Sequence, residues 1–303
     1  MNILIIGSEG FIGSHLVKYF TGKGYRVYGC DLIEKGTAFF TYIQIEKSVL
    51  QWRNIFSQVD FNFCINAAGN GNVNYSVQNP FEDFQSNTLD TIEILDAIRK
   101  YRPECRYLHI SSAAVYGNPV SLPVSESAAC HPVSPYGWHK YMAENICREY
   151  SEIYQLPVCM VRPFSIYGPG LRKQLFWDIY QKYKEHSGNI ELWGVGSESR
   201  DFIYIDDVVQ CFDLLLQKAN MQGEVYNVAS GIETRISDAV ETFFLKLKAN
   251  PKIQFNQQVR PGDPLNWRAD ISKIQALGFN AGISFENGMA DVARWLINYD
   301  HKQ

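Results

Sequence analysis

The chain has 303 residues, of which 46% are hydrophobic and 20% charged, so it can bury a sizeable core and is not a disordered protein. A net charge of −4 and the lack of a Lys/Arg-rich run exclude the basic character typical of nucleic-acid-binding proteins. No apolar stretch approaches the roughly 20 residues that span a bilayer, and the first six residues resemble a buried strand rather than a secretory signal. We therefore expect a cytoplasmic protein that binds neither nucleic acid nor membranes.

The seven cysteines are widely spaced and odd in number, and no two of them form a Cys-x-x-Cys pair. This usage favours reduced thiols in the core over a disulfide framework or a zinc site. The six histidines show no spacing typical of metal ligands. The sequence therefore predicts no metal site.

Short apolar strands alternate with helical periods along the first half of the chain. Strands are predicted at 2–6, 25–30, 61–66, 106–111, 158–163 and 224–228, and helices at 11–20, 87–101 and 136–154. Strands that are apolar throughout and are separated by helices indicate a parallel sheet that is covered on both faces. The predicted fold class is α/β, with a doubly wound parallel sheet.

The pattern changes after about residue 168. Aromatic, polar and glycine residues mix there, which predicts a smaller and less regular α/β lobe over 168–303. We expect residues 1–167 to form the first lobe. The stretch 201–230 is expected to return to that lobe, so the predicted boundary is interleaved.

A glycine-rich turn, G-S-E-G-F-I-G at 7–13, follows the first predicted strand and opens the first helix. Glycines permit a tight turn and let backbone N–H groups approach a phosphate at the positive end of the helix dipole. The second strand leads into Asp31, 18 residues after Gly13. A carboxylate there accepts hydrogen bonds from the adenosine ribose and repels a 2′-phosphate. These features predict NAD as the cofactor, bound by Gly7, Gly10, Phe11, Ile12, Gly13, Asp31 and Leu32.

A tyrosine and a lysine stand four residues apart on one face of a predicted helix, at Tyr136 and Lys140. A phenol with its ordinary pKa of about 10 is a poor base, and a neighbouring ammonium favours the phenolate and lowers that pKa. Ser112 follows a strand at the sheet edge where ligands bind. These three side chains predict a site that exchanges a proton with a substrate hydroxyl. His139 falls on another helix face and is expected to face solvent or a dimer partner.

Six motifs occur between residues 7 and 264, in this order: G-S-E-G-F-I-G, S-S-A-A-V-Y-G, Y-G-W-H-K, R-P-F-S-I-Y-G-P-G, R-D-F-I-Y-I-D-D and R-P-G-D-P. Through them the chain resembles the extended short-chain dehydrogenase/reductase family, in its nucleotide-sugar epimerase/dehydratase branch. The resemblance implies a Rossmann lobe that carries NAD and a carboxyl-terminal lobe that carries a nucleotide-diphosphate sugar. It also implies that Tyr136 is the catalytic acid/base, that Lys140 holds the nicotinamide ribose and that Ser112 is the hydroxyl partner.

Further binding residues follow from the same resemblance. It extends the cofactor site to Ala67, Ala68, Asn87, Ser111, Tyr136, Lys140 and Pro163. It places the substrate site at Ser112, Ser165, Trp193, Arg200 and Arg260, with both arginines on the substrate diphosphate. Without the resemblance, surface ion pairs with the neighbouring Asp201 and Asp263 are the simpler interpretation of these arginines.

Two departures from the family bear on the substrate. Ser165 stands where UDP-sugar epimerases usually have an asparagine. The loop 67–72 lacks the lysine that UDP-galactose 4-epimerases place near the cofactor pyrophosphate. These changes leave the identity of the nucleotide sugar open.

The residues after Ser112 help to choose the reaction. Related 4,6-dehydratases have Asp-Glu where this chain has Ala113-Ala114, and alanine cannot transfer a proton. Two reactions remain: a 4-epimerase that passes through a 4-keto sugar, and a 4-ketoreductase that consumes NAD(P)H. The S-S-A-A-V-Y-G context is similar to UDP-glucose 4-epimerases and favours epimerisation. A non-catalytic dinucleotide sensor is disfavoured, because such proteins usually lose the Tyr or the Lys.

The resemblance also bears on assembly. The helices predicted at 87–101 and 136–154 correspond to the pair that forms a four-helix dimer interface in this family. The expected assembly is therefore a homodimer.

Overall fold

The computed structural model describes residues 1–34, 40–46, 49–186, 188–258 and 265–300. The helices are α1 (Phe11–Gly22), α2 (Val49–Gln58), α3 (Val73–Gln78), α4 (Pro80–Phe84), α5 (Asp90–Tyr101), α6 (Pro135–Tyr154), α7 (Gln174–Glu185), α8 (Ile205–Lys218), α9 (Ile236–Leu247), α10 (Ser272–Gln275) and α11 (Phe285–Asp300). The strands are β1 (Asn2–Ile6), β2 (Arg26–Asp31), β3 (Thr41–Gln44), β4 (Phe63–Asn66), β5 (Arg106–Ile110), β6 (Val158–Pro163), β7 (Ser165–Tyr167), β8 (Asn189–Leu192), β9 (Ser199–Tyr204), β10 (Gln222–Val228), β11 (Glu233–Arg235) and β12 (Lys252–Phe255). Within these ranges no helix combines the length and the apolar character needed to cross a bilayer.

Seven parallel strands form the central sheet, in the order β10-β6-β5-β4-β1-β2-β3. Strand β1 lies between β2 and β4, with Ile3 opposite Val27 on one side and Phe63 on the other. The strand order reverses between β1 and β4, and open parallel sheets bind ligands beyond the carboxyl ends of the strands at such a point. The predicted α/β fold with a doubly wound parallel sheet is confirmed.

Both faces of the sheet are covered, because successive side chains of a strand point to opposite faces. Ile3 and Ile5 pack in the core that includes residues of α1 and α8, whereas Leu4 and Ile6 pack in the core that includes residues of α2 and α5. All four side chains are fully buried. Burial of an aliphatic side chain contributes about 1.5–3 kcal/mol, so these cores fix β1 and the turn that follows it.

The helix predicted at 87–101 starts earlier than predicted. Helix α4 begins at Pro80, a π-helical turn spans Gln85–Leu89, and α5 continues from Asp90. Proline suits the first position of a helix, because its φ is preset and it lacks an N–H that would need a partner. Asn87 therefore lies within a π-turn, a feature that is frequent at functional sites.

Several strand ends also differ by one or two residues from the predictions. Strand β2 runs one residue later than predicted, because Asp31 still pairs with Gln44 of β3. Strand β4 starts at Phe63 rather than at residue 61, and β5 ends at Ile110. Strand β10 starts at Gln222, before a bulge in its pairing with β6.

The second half of the chain adds two small sheets, β11-β9-β7 and β12-β8. Strand β10 joins the edge of the central sheet, and α8 packs against α1. These contacts support the proposal that 201–230 belongs to the lobe formed by 1–167. The division from a second lobe over 168–303 stays a prediction.

Candidate active site

The glycine-rich turn after β1 is built so tightly that side chains cannot enter it. Gly7 has φ +78°, and a Cβ atom there would lie 2.7 Å from the amide nitrogen of Ala68. A Cβ on Gly13 would lie 2.0 Å from the carbonyl oxygen of Gly7. Only glycine fits at these two positions, so the turn brings the start of α1 against the end of β4.

The polar groups around this turn suit a dinucleotide. The Asp31 carboxylate accepts hydrogen bonds from the amides of Glu9 (3.0 Å) and Leu32 (2.8 Å), which fixes it beside the turn. The first turn of α1 has no side-chain cap. The buried Ser8 hydroxyl has no hydrogen-bond partner among the described residues. Uncapped amides and an unpaired hydroxyl are groups that a bound phosphate would satisfy, so the residues present fit NAD.

Ser112, Tyr136 and Lys140 converge beyond the end of β5. The Ser112 side chain caps a short 3₁₀ helix by accepting from the Ala114 amide at 3.1 Å, and it lies near enough to the Tyr136 hydroxyl to lower the pKa of that phenol. The buried Lys140 ammonium donates to the carbonyl oxygen of Ile110 at 2.9 Å. Ile110 is the last residue of β5, so one strand end holds two of the three predicted catalytic groups.

The start of α6 positions Tyr136 and Lys140. Ser134 is the N-cap and accepts from the Gly137 amide at 3.2 Å, and Pro135 is the first helical residue. The Tyr136 amide donates to the Ser76 hydroxyl at 3.1 Å. The four-residue spacing then puts Tyr136 and Lys140 on one helix face, as predicted from the sequence.

The electrostatics of the pair differ from the prediction. Burial raises the pKa of Tyr136, the hydrogen bond from Ser112 lowers it in part, and the charge of Asp83 raises it further. Burial also lowers the pKa of Lys140 from 10.5 to about 8. The expectation that the phenol has a lowered pKa is therefore wrong, because desolvation of the buried phenolate is the largest effect.

The remaining predicted cofactor residues lie around the same strand ends. The amide of Ala67 donates to Ile6 (2.9 Å) and that of Ala68 to the Asn66 side chain (3.1 Å). Pro163 ends the buried strand β6. The Ser111 hydroxyl donates to Glu144 at 2.7 Å and is thus used within the protein. The cofactor contacts of these residues stay predictions.

Asn87 belongs to a buried polar cluster with Asp83 that the sequence analysis missed. Asp83 is fully buried and accepts from the side chains of Asn70 (2.8 Å) and Asn87 (3.1 Å). Its second oxygen lies 2.6 Å from Nδ1 of His139. The Asn87 side-chain oxygen has no hydrogen-bond partner in the described part of the chain.

This cluster corrects the expectation that His139 faces solvent, because its side chain is only 12% exposed and contacts Asp83. The four-residue spacing of Asp83 and Asn87 was the one feature of the sequence that could have indicated this cluster. It shows that the two side chains share a helix face, but not that His139 reaches them.

A cleft of about 580 Å³ lies against Ser112 and Tyr136. Besides Ser112, three predicted substrate residues line it: Ser165, the half-exposed Trp193 and Arg200. Arg200 donates to the carbonyl oxygens of Ser199 (2.8 Å) and Leu265 (3.2 Å), which holds its guanidinium at the cleft wall. Arg260 lies outside the described residues.

Asp201 has a structural role beside Arg200. Its buried carboxylate accepts from the amides of Ser230 (2.9 Å), Gly231 (3.1 Å) and Ala269 (3.0 Å). Burial raises the pKa of Asp201 to about 6, although these hydrogen bonds oppose the rise. Asp201 therefore ties β9 to two loops near the cleft.

Comparison with known proteins gives relatives over the whole chain. A Methanocaldococcus jannaschii protein provisionally named a UDP-glucose 4-epimerase is 30% identical over 307 residues, with 98% of each chain covered. The crystal structure of Bacillus cereus UDP-glucuronic acid 4-epimerase, in complex with UDP-glucuronic acid and NAD, has a TM-score of 0.88 at 26% identity and covers 99% of this chain and 100% of that one. The Thermotoga maritima UDP-glucose 4-epimerase, solved with UDP-glucose, has the same TM-score and identity and covers 99% of both chains.

A family model covers most of the chain. Residues 3–229 match the NAD dependent epimerase/dehydratase family, a range that includes the glycine-rich turn and the Ser112, Tyr136 and Lys140 site. The prediction of NAD as the cofactor is confirmed by this match. The protein belongs to the NAD-dependent epimerase/dehydratase family, as its motifs predicted.

Proposed function

We propose that this protein is an NAD-dependent nucleotide-sugar 4-epimerase that works through a 4-keto sugar. The observation that carries the proposal is the convergence of Ser112, Tyr136 and Lys140 at the cleft. Relatives that are named UDP-sugar 4-epimerases and align over almost the full length support it. UDP sugars are therefore the first substrates to test.

In the proposed cycle, Tyr136 exchanges the proton of the substrate O4 hydroxyl. Its phenolate oxygen takes this proton while C4 loses a hydride. The keto sugar then rotates to present its other face, and Tyr136 returns the proton to O4. Ser112 donates a hydrogen bond to O4, and the Lys140 ammonium would hold the nicotinamide ribose of the cofactor. Since burial raises the pKa of Tyr136, the hydrogen bond from Ser112 is needed to stabilise the phenolate.

The cofactor supplies the redox chemistry. When bound, NAD accepts the C4 hydride and returns it, so that no net oxidation occurs. Gly7, Gly13 and the amides at the start of α1 would hold its diphosphate, and Asp31 would hold the adenosine ribose.

The central prediction is that the purified protein isomerises a nucleotide sugar without added reductant. UDP-, GDP-, dTDP- and CDP-sugars would be incubated with the enzyme in turn, and the products identified by NMR. We expect a C4 epimer from one class. The variant Y136F should lose about 100-fold or more in turnover, because a positioned acid/base contributes that much. The variant Y154F, an exposed position on the same helix, is the matched control.

Two outcomes would contradict this proposal. Full turnover by Y136F would remove the phenol from the mechanism. Stoichiometric consumption of added NADH, without isomerisation, would identify a 4-ketoreductase instead.

We also propose a homodimer formed through α5 and α6. These helices pack against each other, and α6 presents Trp138 and Met142, both more than 40% exposed, one helical turn apart. Exposed apolar side chains that lie together favour an interface. Leu89 and Phe81, on the helical segment before α5, are exposed too.

A further inference from the structure

A lysine that the mechanism does not use reaches into the cleft. Lys173 precedes α7 and lines the same cleft as Ser112 and Tyr136. Because the cleft is open, much of the residue is accessible to solvent, yet enough protein surrounds the ammonium that burial lowers its pKa. In the part of the chain that the structure describes, this ammonium has no hydrogen-bond acceptor and no carboxylate partner. Lys184, near the end of α7, does have a carboxylate partner, because its ammonium lies 2.8 Å from Asp300.

The ammonium of Lys173 occupies space that a side chain at Gly71 would fill. A Cβ atom on Gly71 would lie 3.2 Å from the Lys173 nitrogen, and Gly71 has an ordinary backbone conformation. Gly71 lies in the loop after β4, and this strand ends beside the glycine-rich turn, where a Cβ on Gly7 would meet Ala68. Lys173 thus extends from the substrate side of the cleft to the loop on the cofactor side.

The charge of Lys173 also acts on Lys140. The charge of Lys173 contributes to the low pKa of Lys140, so the two ammonium groups repel each other across one cleft. Two unscreened like charges at a partly desolvated site cost free energy unless an anion lies near them. Both ligands of the proposed reaction contain a diphosphate, which is such an anion.

We propose that Lys173 binds a diphosphate oxygen of a ligand in the cleft, and that Gly71 is needed to leave room for its ammonium. This inference rests on the proposed function for the identity of the ligands. The diphosphate could belong to NAD, next to the loop at Gly71, or to the nucleotide sugar, next to Ser165 and Arg200. The recognition chemistry, an ammonium donating to phosphate oxygens, is the same for both.

The test measures binding rather than turnover. Dissociation constants of UDP and of NAD would be determined by calorimetry for the wild type, K173M, K173R and K184M. We expect K173M to weaken one of the two ligands at least tenfold, with a smaller loss at high salt. K173R should keep most of the affinity, and K184M should bind like the wild type. A loss confined to NAD assigns the contact to the cofactor, and a loss confined to UDP assigns it to the substrate.

A second variant tests the space at Gly71. G71L keeps Lys173 but places a leucine side chain next to its ammonium. It should therefore weaken binding of the same ligand that K173M affects. Thermal unfolding should show K173M at least as stable as the wild type, since it removes the repulsion from Lys140.

Unchanged affinity of K173M for both ligands would overturn the inference, as would an equal loss in K184M. The two dissociation constants do not depend on turnover. If the protein binds UDP or NAD through Lys173 but isomerises no sugar, only the proposed function is refuted.

Discussion

At the scale of single residues, the site depends on a lysine that is costly to bury. Lys140 is 5% exposed, and desolvation lowers its pKa from 10.5 to about 8 although Asp83 and Glu144 oppose the shift. Because the folded protein binds this proton less tightly than the unfolded chain does, a charged Lys140 lowers the free energy of unfolding. Such costs are typical of functional groups, where chemistry rather than stability determines the residue.

A prediction at this scale concerns pH and stability. The folded pKa of Lys140 lies below the unfolded value, so between pH 8 and 10.5 the unfolded chain binds more protons and stability rises with pH. The variant K140M lacks this dependence. We expect K140M to have a higher free energy of unfolding than the wild type. This difference should be about 2 kcal/mol smaller at pH 10 than at pH 7, because one pKa unit corresponds to about 1.36 kcal/mol.

Urea unfolding of both proteins at the two pH values measures this difference directly, since all other titrating groups are shared. A gain that does not change with pH would show that burial does not depress the pKa of Lys140.

At the scale of elements, the distance between Ser112 and Tyr136 depends on how closely α6 approaches the 3₁₀ turn after β5. Gly137 makes this approach possible, because a Cβ there would lie 2.7 Å from the carbonyl oxygen of Ala114 and 3.0 Å from Pro132. The contact is with backbone, which cannot rotate away as a flexible side chain could. The glycine in Y-G-W-H-K thus has a packing role at the candidate active site.

We predict that G137A separates the helix from the serine turn. Overpacking of this kind costs about 1–3 kcal/mol of stability. Turnover should fall more than tenfold, because Ser112 and the Tyr136 hydroxyl move apart. G22A is the matched control, since its added methyl group meets nothing within 4 Å, and it should be neutral or slightly stabilising. Melting temperatures and turnover of both variants test this, and wild-type activity in G137A would contradict it.

At the scale of the whole molecule, the proposed dimer brings α5 and α6 of two copies together. We predict that the double variant W138E/M142E is monomeric, because four added charges would face each other without partners in a two-fold interface. Light scattering after size exclusion measures the mass. The control L245E alters a more exposed apolar residue on α9 and should leave the assembly unchanged. A wild type that is monomeric under the same conditions would disprove the proposed interface.

The whole molecule also shows how the cleft arises. The turn after β5 supplies Ser112 and α6 supplies Tyr136. The small sheet β11-β9-β7 supplies Ser165 and Arg200, and Lys173 reaches the same cleft from the start of α7. The predicted substrate residues therefore come from segments far apart in the chain. Their arrangement depends on the pairing of β9 with β7 and on the return of β10 to the edge of the central sheet.

The amino-acid sequence by itself determined the parts of this protein that rest on local spacing. Four features could be predicted from the sequence: the strands that are apolar throughout, the glycines of the first turn, Asp31 at a strand end and the four-residue spacing of Tyr136 and Lys140. Backbone geometry links each of them to one strand or helix. The fold class followed from these local patterns, and the family from the resemblance that the six motifs carry.

Only the tertiary structure decided the features that depend on distant segments and on burial. The contact between Asp83 and His139 joins residues 56 positions apart, and Lys173 meets Gly71 across the cleft. The raised pKa of Tyr136 likewise could not be predicted from its neighbours in sequence, because desolvation depends on everything packed around the phenol. Local spacing specifies which groups share a face, whereas packing decides which charges meet and how much water surrounds them.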